Sequence, residues 1–136
     1  MENFKAILSS NDRSPNLKLT IKNTSPNCYK VLKNHLVLDG EMEQDNFVVI
    51  DNSTRNHLPY QGATIKSIPD YINLDSGQEI NSDIINLNLN YELEHNRNYE
   101  VFYKAMLTYA SCDNSVQISG EQSEFIESNH IDLFNN

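Results

Sequence analysis

Tyr99, Val101, Tyr103, Ala105, Leu107 and Tyr109 occupy alternate positions of one uninterrupted stretch. On a helix these side chains would scatter around the axis, whereas a strand puts them all on one face. This is the longest period-two signal in the chain, and it predicts a central strand. The run Leu17 to Thr24 repeats the logic, with Leu17, Leu19 and Ile21 on one face and Lys18, Thr20 and Lys22 on the other. Such alternation describes a half-buried antiparallel strand, and Ser25-Pro26-Asn27 closes it.

Similar short runs fill the rest of the chain. A first strand is expected near Asn3 to Leu8, followed by the turn composition Asn11-Asp12-Arg13-Ser14-Pro15. Tyr29 to Leu38 reads as an apolar, central third strand, broken by Asp39-Gly40-Glu41. Asn46 to Asp51 is a short strand before the polar turn Asn52 to Asn56, and Leu58 to Ile65 is a further extended piece. Pro69 and Asp75-Ser76-Gly77 flank Tyr71, Ile72 and Leu74. Between Ile84 and Ile85 the apolar parity of the segment Ile80 to Leu89 changes, as a bulge or bend requires. Asn96-Arg97-Asn98 introduces the long strand, Ser111 to Gln122 is small and polar, and Phe125, Ile126, Ile131, Leu133 and Phe134 supply a last strand. About seven to nine strands without an amphipathic helix is the pattern of a β-sandwich with Greek-key connections.

The 136 residues suit a single domain, residues 1–136, large enough to bury a core without obligatory metal or disulfides. A formal charge of −9, from 19 acidic and 10 basic side chains, opposes binding to nucleic-acid backbones and anionic lipid surfaces. No stretch approaches the roughly 20 apolar residues of a membrane span, so no membrane insertion is expected. The opening residues lack a basic n-region and an adequate apolar core for a signal peptide. Taken as complete, the chain is expected in the cytoplasm; as a mature or truncated chain it would equally be secreted. Cys28 and Cys112 match no zinc spacing. They are reduced thiols in a reducing compartment, or one long-loop disulfide in an oxidising one. Sequons at Asn23 and Asn52 matter only if the chain is secreted.

A set of residues in fixed order carries a family resemblance: Leu19 to Ser25, Val31-Leu32-Lys33, Asp39-Gly40, Leu58-Pro59-Tyr60-Gln61-Gly62, Ile65-Lys66, Pro69, Tyr71, Leu74, Gly77, Leu89, Tyr91, Leu93, Tyr99, Val101 and Tyr103. It resembles the non-catalytic immunoglobulin-like domain that precedes the catalytic domain of deuterolysin-like zinc peptidases, the peptidyl-Lys metalloendopeptidase group. Ser128 to Leu133 matches its closing strand, so nearly the whole chain is covered. Two departures stand out: Asn34-His35-Leu36-Val37 replaces an aromatic residue and a Thr-Pro pair, and Ser76-Gly77 replaces Pro-Gly. The family's helical H-E-x-x-H zinc ligands and later Asp ligand have no counterpart in this sequence. The resemblance therefore implies an immunoglobulin-like sandwich and an association with peptidases, and it transfers no catalytic residue.

The residues themselves offer no chemistry of their own. His35, His57, His95 and His130 are scattered, and Glu92, Glu94 and His95 fall short of the four-ligand set of a structural zinc site. Ser111-Cys112 and Ser119-Gly120 lack a nucleophile elbow or an identifiable base. Glu41, Glu43 and Asp45 read as solvated loop charges, and four glycines make no phosphate loop. No catalytic residue, metal ligand or cofactor is expected. Tyr99 is placed as a tyrosine corner, a structural role.

What the topology of such a sandwich does bring together is loops. The connection after the second strand and the one between the last two share an end, which nominates Ser25, Pro26, Asn27 and Cys28 together with Ser111, Cys112, Asp113 and Asn114 as partner-binding loops. Cys28 and Cys112 would then be neighbours, a candidate disulfide. The expected function is a non-enzymatic module that binds a protein partner, a peptidase or its inhibition being the sharpest version. The alternatives are an assembly domain pairing through edge strands, which would make it a homo-oligomer, and an accessory module for polysaccharide or surface attachment.

Overall fold

The computed structural model describes residues 4–32, 45–62, 71–110 and 123–136. Within them the chain is an all-β antiparallel sandwich of ten strands: β1 (Phe4–Ser10), β2 (Asn16–Asn23), β3 (Cys28–Leu32), β4 (Phe47–Asp51), β5 (Tyr71–Leu74), β6 (Glu79–Asn81), β7 (Ile85–Asn86), β8 (Arg97–Ala110), β9 (Ser123–Glu127) and β10 (Ile131–Asn135). One sheet runs β1-β2-β6, with β7 also on β2; the other runs β10-β8-β3-β5, with β4 and β9 also on β8. The chain crosses between sheets after β2, β5 and β7, which is the sheet-switching connectivity of an immunoglobulin-like sandwich.

The long alternating stretch is the spine of the second sheet. Its first half pairs with β10 and β4, its second half with β9 and β3. Tyr99, Val101, Tyr103 and Ala105 all face the core, as do Leu17, Leu19 and Ile21 from β2 and Phe4, Ala6 and Leu8 from β1. Phe4 meets Tyr29 edge-on with ring centroids 4.5 Å apart, tying the two sheets together, and Phe47 meets Tyr103 at 5.6 Å. With no tryptophan in the chain, fully buried tyrosines supply the large core volumes. Each such side chain contributes roughly 1.5–3 kcal/mol when removed from water.

The strand count exceeds the seven to nine expected because two predicted strands are broken. The segment Ile80 to Leu89 becomes β6, β7 and a single 3-10 turn, Leu87–Leu89. At the first break Ser82 keeps the ladder alive: Leu19 N donates to Ser82 Oγ at 2.9 Å, and Ser82 N donates to Leu19 O at 2.9 Å. The parity change places Ile84 outward at 60% exposure and buries Ile85 completely. The expected last strand divides likewise into β9 and β10. There Tyr103 N donates to Ser128 Oγ at 2.8 Å, and Ser128 N donates to Tyr103 O at 2.9 Å.

Of the extended piece expected from Leu58 to Ile65, residues 58–62 are described and carry no ladder: beside an isolated Ile50–His57 bridge Leu58 N donates to Val49 O at 2.8 Å, and Gln61 N donates to Asn90 O at 2.8 Å. The expected continuation of the third strand to Leu38, the Asp39-Gly40-Glu41 break, Ala63 to Ile65, Pro69 and the loop Ser111 to Gln122 lie outside the described residues.

Candidate functional site

The β2–β3 connection is built around a buried amide. Asn23 ends β2 on the inward-facing parity, so its side chain enters the core edge and is fully buried. A buried amide must have its hydrogen-bonding capacity met, and here it is. Its Nδ2 donates to Asn27 O at 2.8 Å and to Leu74 O at 2.9 Å, while its Oδ1 accepts from Ser25 N at 3.0 Å and Ser25 Oγ at 2.7 Å. Ser25, also buried, accepts at Oγ from Asn27 N at 3.2 Å. The neighbouring β5–β6 turn clamps the same loop: Ser76 Oγ donates to Ser25 O at 2.6 Å, and Gly77 N donates to Asn23 O at 2.8 Å. Gly77 has φ +80°, a conformation that strains any residue with a Cβ.

The loop therefore holds its shape from inside while Pro26 and Asn27 are exposed at its tip. The same network disposes of Asn23 as a glycan acceptor in the folded chain, because both amide hydrogens are committed in the interior.

Cys28 follows directly, buried and disulfide-bonded. Its register partner across the ladder is Ala110, the last residue of β8, so the β2–β3 tip sits beside the strand end that leads into residue 111. Ser111, Cys112, Asp113 and Asn114 themselves lie outside the described residues.

Tyr99 anchors a different corner. Its hydroxyl accepts from Glu94 N at 2.8 Å, five residues upstream, so the ring pins the turn that feeds β8. In this corner the phenol is the acceptor. Asn135, buried on β10, donates from Nδ2 to Leu93 O and Glu94 O, each at 3.1 Å, and its own carbonyl accepts from Asn96 N at 2.5 Å. Arg97 completes the corner, with Nη1 2.8 Å from Asp51 Oδ2 and Nε 2.8 Å from Glu94 Oε2. The Arg97 hydrogen bond, joined by the Ser53 amide, holds the Asp51 carboxyl below the ordinary aspartate value; Asp51 in turn raises Arg97.

Among the other sequence candidates, several side chains have structural partners, while His57 and His95 are exposed. Asp45 Oδ1 accepts the Tyr91 hydroxyl at 2.5 Å, and burial, reinforced by that hydrogen bond, pushes Tyr91 well above the ordinary tyrosine value. Glu92 accepts from Gln61 Nε2 at 3.4 Å. His130 stacks on Phe102 with centroids 4.0 Å apart, between Glu100 at 3.2 Å and Glu127 at 3.5 Å. No group of three or more His, Cys, Asp or Glu among the described residues could hold a metal ion, and no helix there is long and apolar enough to cross a membrane. His35, Glu41, Glu43 and Ser119 lie outside the described residues.

In the sequence Asn23 reads as a sequon and as part of the Leu19 to Ser25 segment, with no role of its own. Its position on the inward parity of β2 was the available signal that it is buried. The roles of Ser82 and Ser128 had no such signal, because each depends on a strand distant in sequence. No protein-family model matches the chain, and no curated protein matches it.

Proposed function

We propose that this chain is a non-catalytic protein-binding module that engages a peptidase through the β2–β3 tip and the neighbouring connection after β8. The observation that carries the reading is the prefixed tip: Asn23, Ser25 and Ser76 hold Pro26 and Asn27 out to solvent on a scaffold already hydrogen-bonded throughout. A loop ordered before binding loses little conformational entropy in the complex, and loops on a rigid sandwich are a common location for recognition. The peptidase as partner comes from the sequence resemblance to the companion domain of deuterolysin-like zinc peptidases. The disulfide at Cys28 supports an oxidising compartment for the chain, in preference to the cytoplasm.

The test is capture and inhibition across a panel of purified zinc and cysteine peptidases. Wild-type protein is expected to retain at least one of them on a column, and the double change Pro26→Glu and Asn27→Arg to weaken that binding by about tenfold, equivalent to about 1.4 kcal/mol. A panel in which no peptidase is retained or inhibited sinks the proposal. So does capture that the tip variant leaves unchanged.

A further inference from the structure

Among the described residues β1 is the edge of its sheet, hydrogen-bonded through its ladder to β2 alone. An exposed edge is a template for pairing with another chain, and the way this one is closed is specific. Asn129, in the break between β9 and β10, reaches Leu8 from the opposite sheet. Its Oδ1 accepts from Leu8 N at 2.7 Å and its Nδ2 donates to Leu8 O at 3.0 Å. One side-chain amide thus makes both bonds that a neighbouring strand would make. Ser128 fixes the same segment by pairing with both backbone groups of Tyr103.

The parity of β1 determines which other groups are open. Leu8 directs its N–H and C=O away from β2, so by the period of two Ala6 and Phe4 do the same. Among the described residues no hydrogen bond reaches the outward groups of Ala6. For an antiparallel encounter between two β1 edges, the well-matched register sets Ala6 opposite Ala6, Phe4 opposite Leu8, and Lys5 opposite Ile7. That register needs Leu8, which Asn129 occupies. The shorter register that avoids Leu8 sets Phe4 opposite Ala6 and brings Lys5 directly against Lys5 of the other copy, in the closer, non-hydrogen-bonded type of pair where like charges repel.

We infer that Asn129 and Lys5 together form a lock that keeps the β1 edge from pairing with β1 of a second copy. Asn129 removes the favourable register and Lys5 makes the remaining one repulsive. The latent partner is another molecule of this protein, joined through a two-fold antiparallel β1 pair.

Sedimentation velocity over micromolar to millimolar concentrations tests the lock. Wild type is expected to remain monomeric, Asn129→Ala to form a concentration-dependent dimer, and Asn129→Ala with Ala6→Pro to return to monomer, since proline removes the central donor and costs no bond within the chain. A monomeric Asn129→Ala protein, a wild-type dimer, or a dimer unaffected by Ala6→Pro overturns the inference. If Asn129→Ala does not fold, amide exchange on wild type decides: Leu8 N–H is expected to be protected and Ala6 N–H to exchange freely, and equal rates at the two overturn the plug.

Discussion

Asp51 illustrates how a single charged side chain is absorbed into the frame. It ends β4 with its carboxylate almost wholly shielded, accepting from Arg97 Nη1 at 2.8 Å and from Ser53 N at 2.8 Å, while its carbonyl accepts from Arg55 N at 2.7 Å. Its pKa lies below the ordinary aspartate value, first because of the Arg97 hydrogen bond. A depressed folded-state pKa contributes stability that is present above the unfolded value of 3.8 and is lost as pH falls through the folded value. Replacing Asp51 with Asn should therefore lower the urea midpoint at neutral pH and narrow its gap to wild type below about pH 4, near the unfolded aspartate value. A gap independent of pH would mean that the carboxylate charge is irrelevant. Tyr91 and Tyr103 work in the opposite direction, since burial raises both. Their contribution is intact below the ordinary tyrosine value of 10.0 and declines as pH rises beyond it.

Among the elements, the two serine-bridged breaks share one solution. Ser82 opposite Leu19 and Ser128 opposite Tyr103 each replace a lost ladder pair with a hydroxyl acceptor and a backbone donor. Both let a strand change its facing without leaving its neighbour unsatisfied. The β1–β2 turn is less comfortable. Asp12 and Arg13 have φ of 53° and 60°, and Ser14 N donates to Asn11 O at 3.0 Å, the signature of a type I′ turn. Glycine is favoured at the second of those positions. The Arg13 carbonyl, which accepts from Phe134 N at 2.9 Å, survives any side-chain change. Arg13→Gly is expected to stabilise the fold by roughly 0.5–1 kcal/mol, part of the left-handed penalty being offset by added freedom in the unfolded chain. Thermal melting would show it as a rise in Tm; a fall would place more weight on the 3.4 Å contact from Arg13 Nη2 to Asn98 Oδ1.

At the scale of the molecule, the two sheets are joined by contacts between residues far apart in sequence, Phe4 on Tyr29 and Asn129 on Leu8, while the disulfide at Cys28 lies within the second sheet, beside the end of β8. Removing a disulfide by Cys28→Ser typically costs about 2–4 kcal/mol. The loss should be matched in wild type by adding reductant, and the β2–β3 tip should become susceptible to proteolysis once the bond is gone. An unchanged denaturation midpoint under reducing conditions would show that the Asn23 network alone holds that end.

Alternation by itself determined the fold class, the position of the long central strand and most of the core, because period-two side chains leave one face to bury whatever the neighbours are. It determined Leu17, Leu19, Ile21, Tyr99, Val101 and Tyr103 as core residues, all of which are buried. The tip Ser25-Pro26-Asn27 was legible as a turn and the inward parity of Asn23 from its place in β2, but the partners that satisfy Asn23 and clamp Ser25 were not, since Leu74 and Ser76 come from the end of β5 and the turn after it. The parity change between Ile84 and Ile85 announced one strand break, but the serine bridges that satisfy the breaks, the Arg97 corner and the Asn129 closure of β1 were decided by tertiary structure alone. Each is a hydrogen bond between segments brought together by packing, and local sequence carries no record of which distant backbone groups will need a partner.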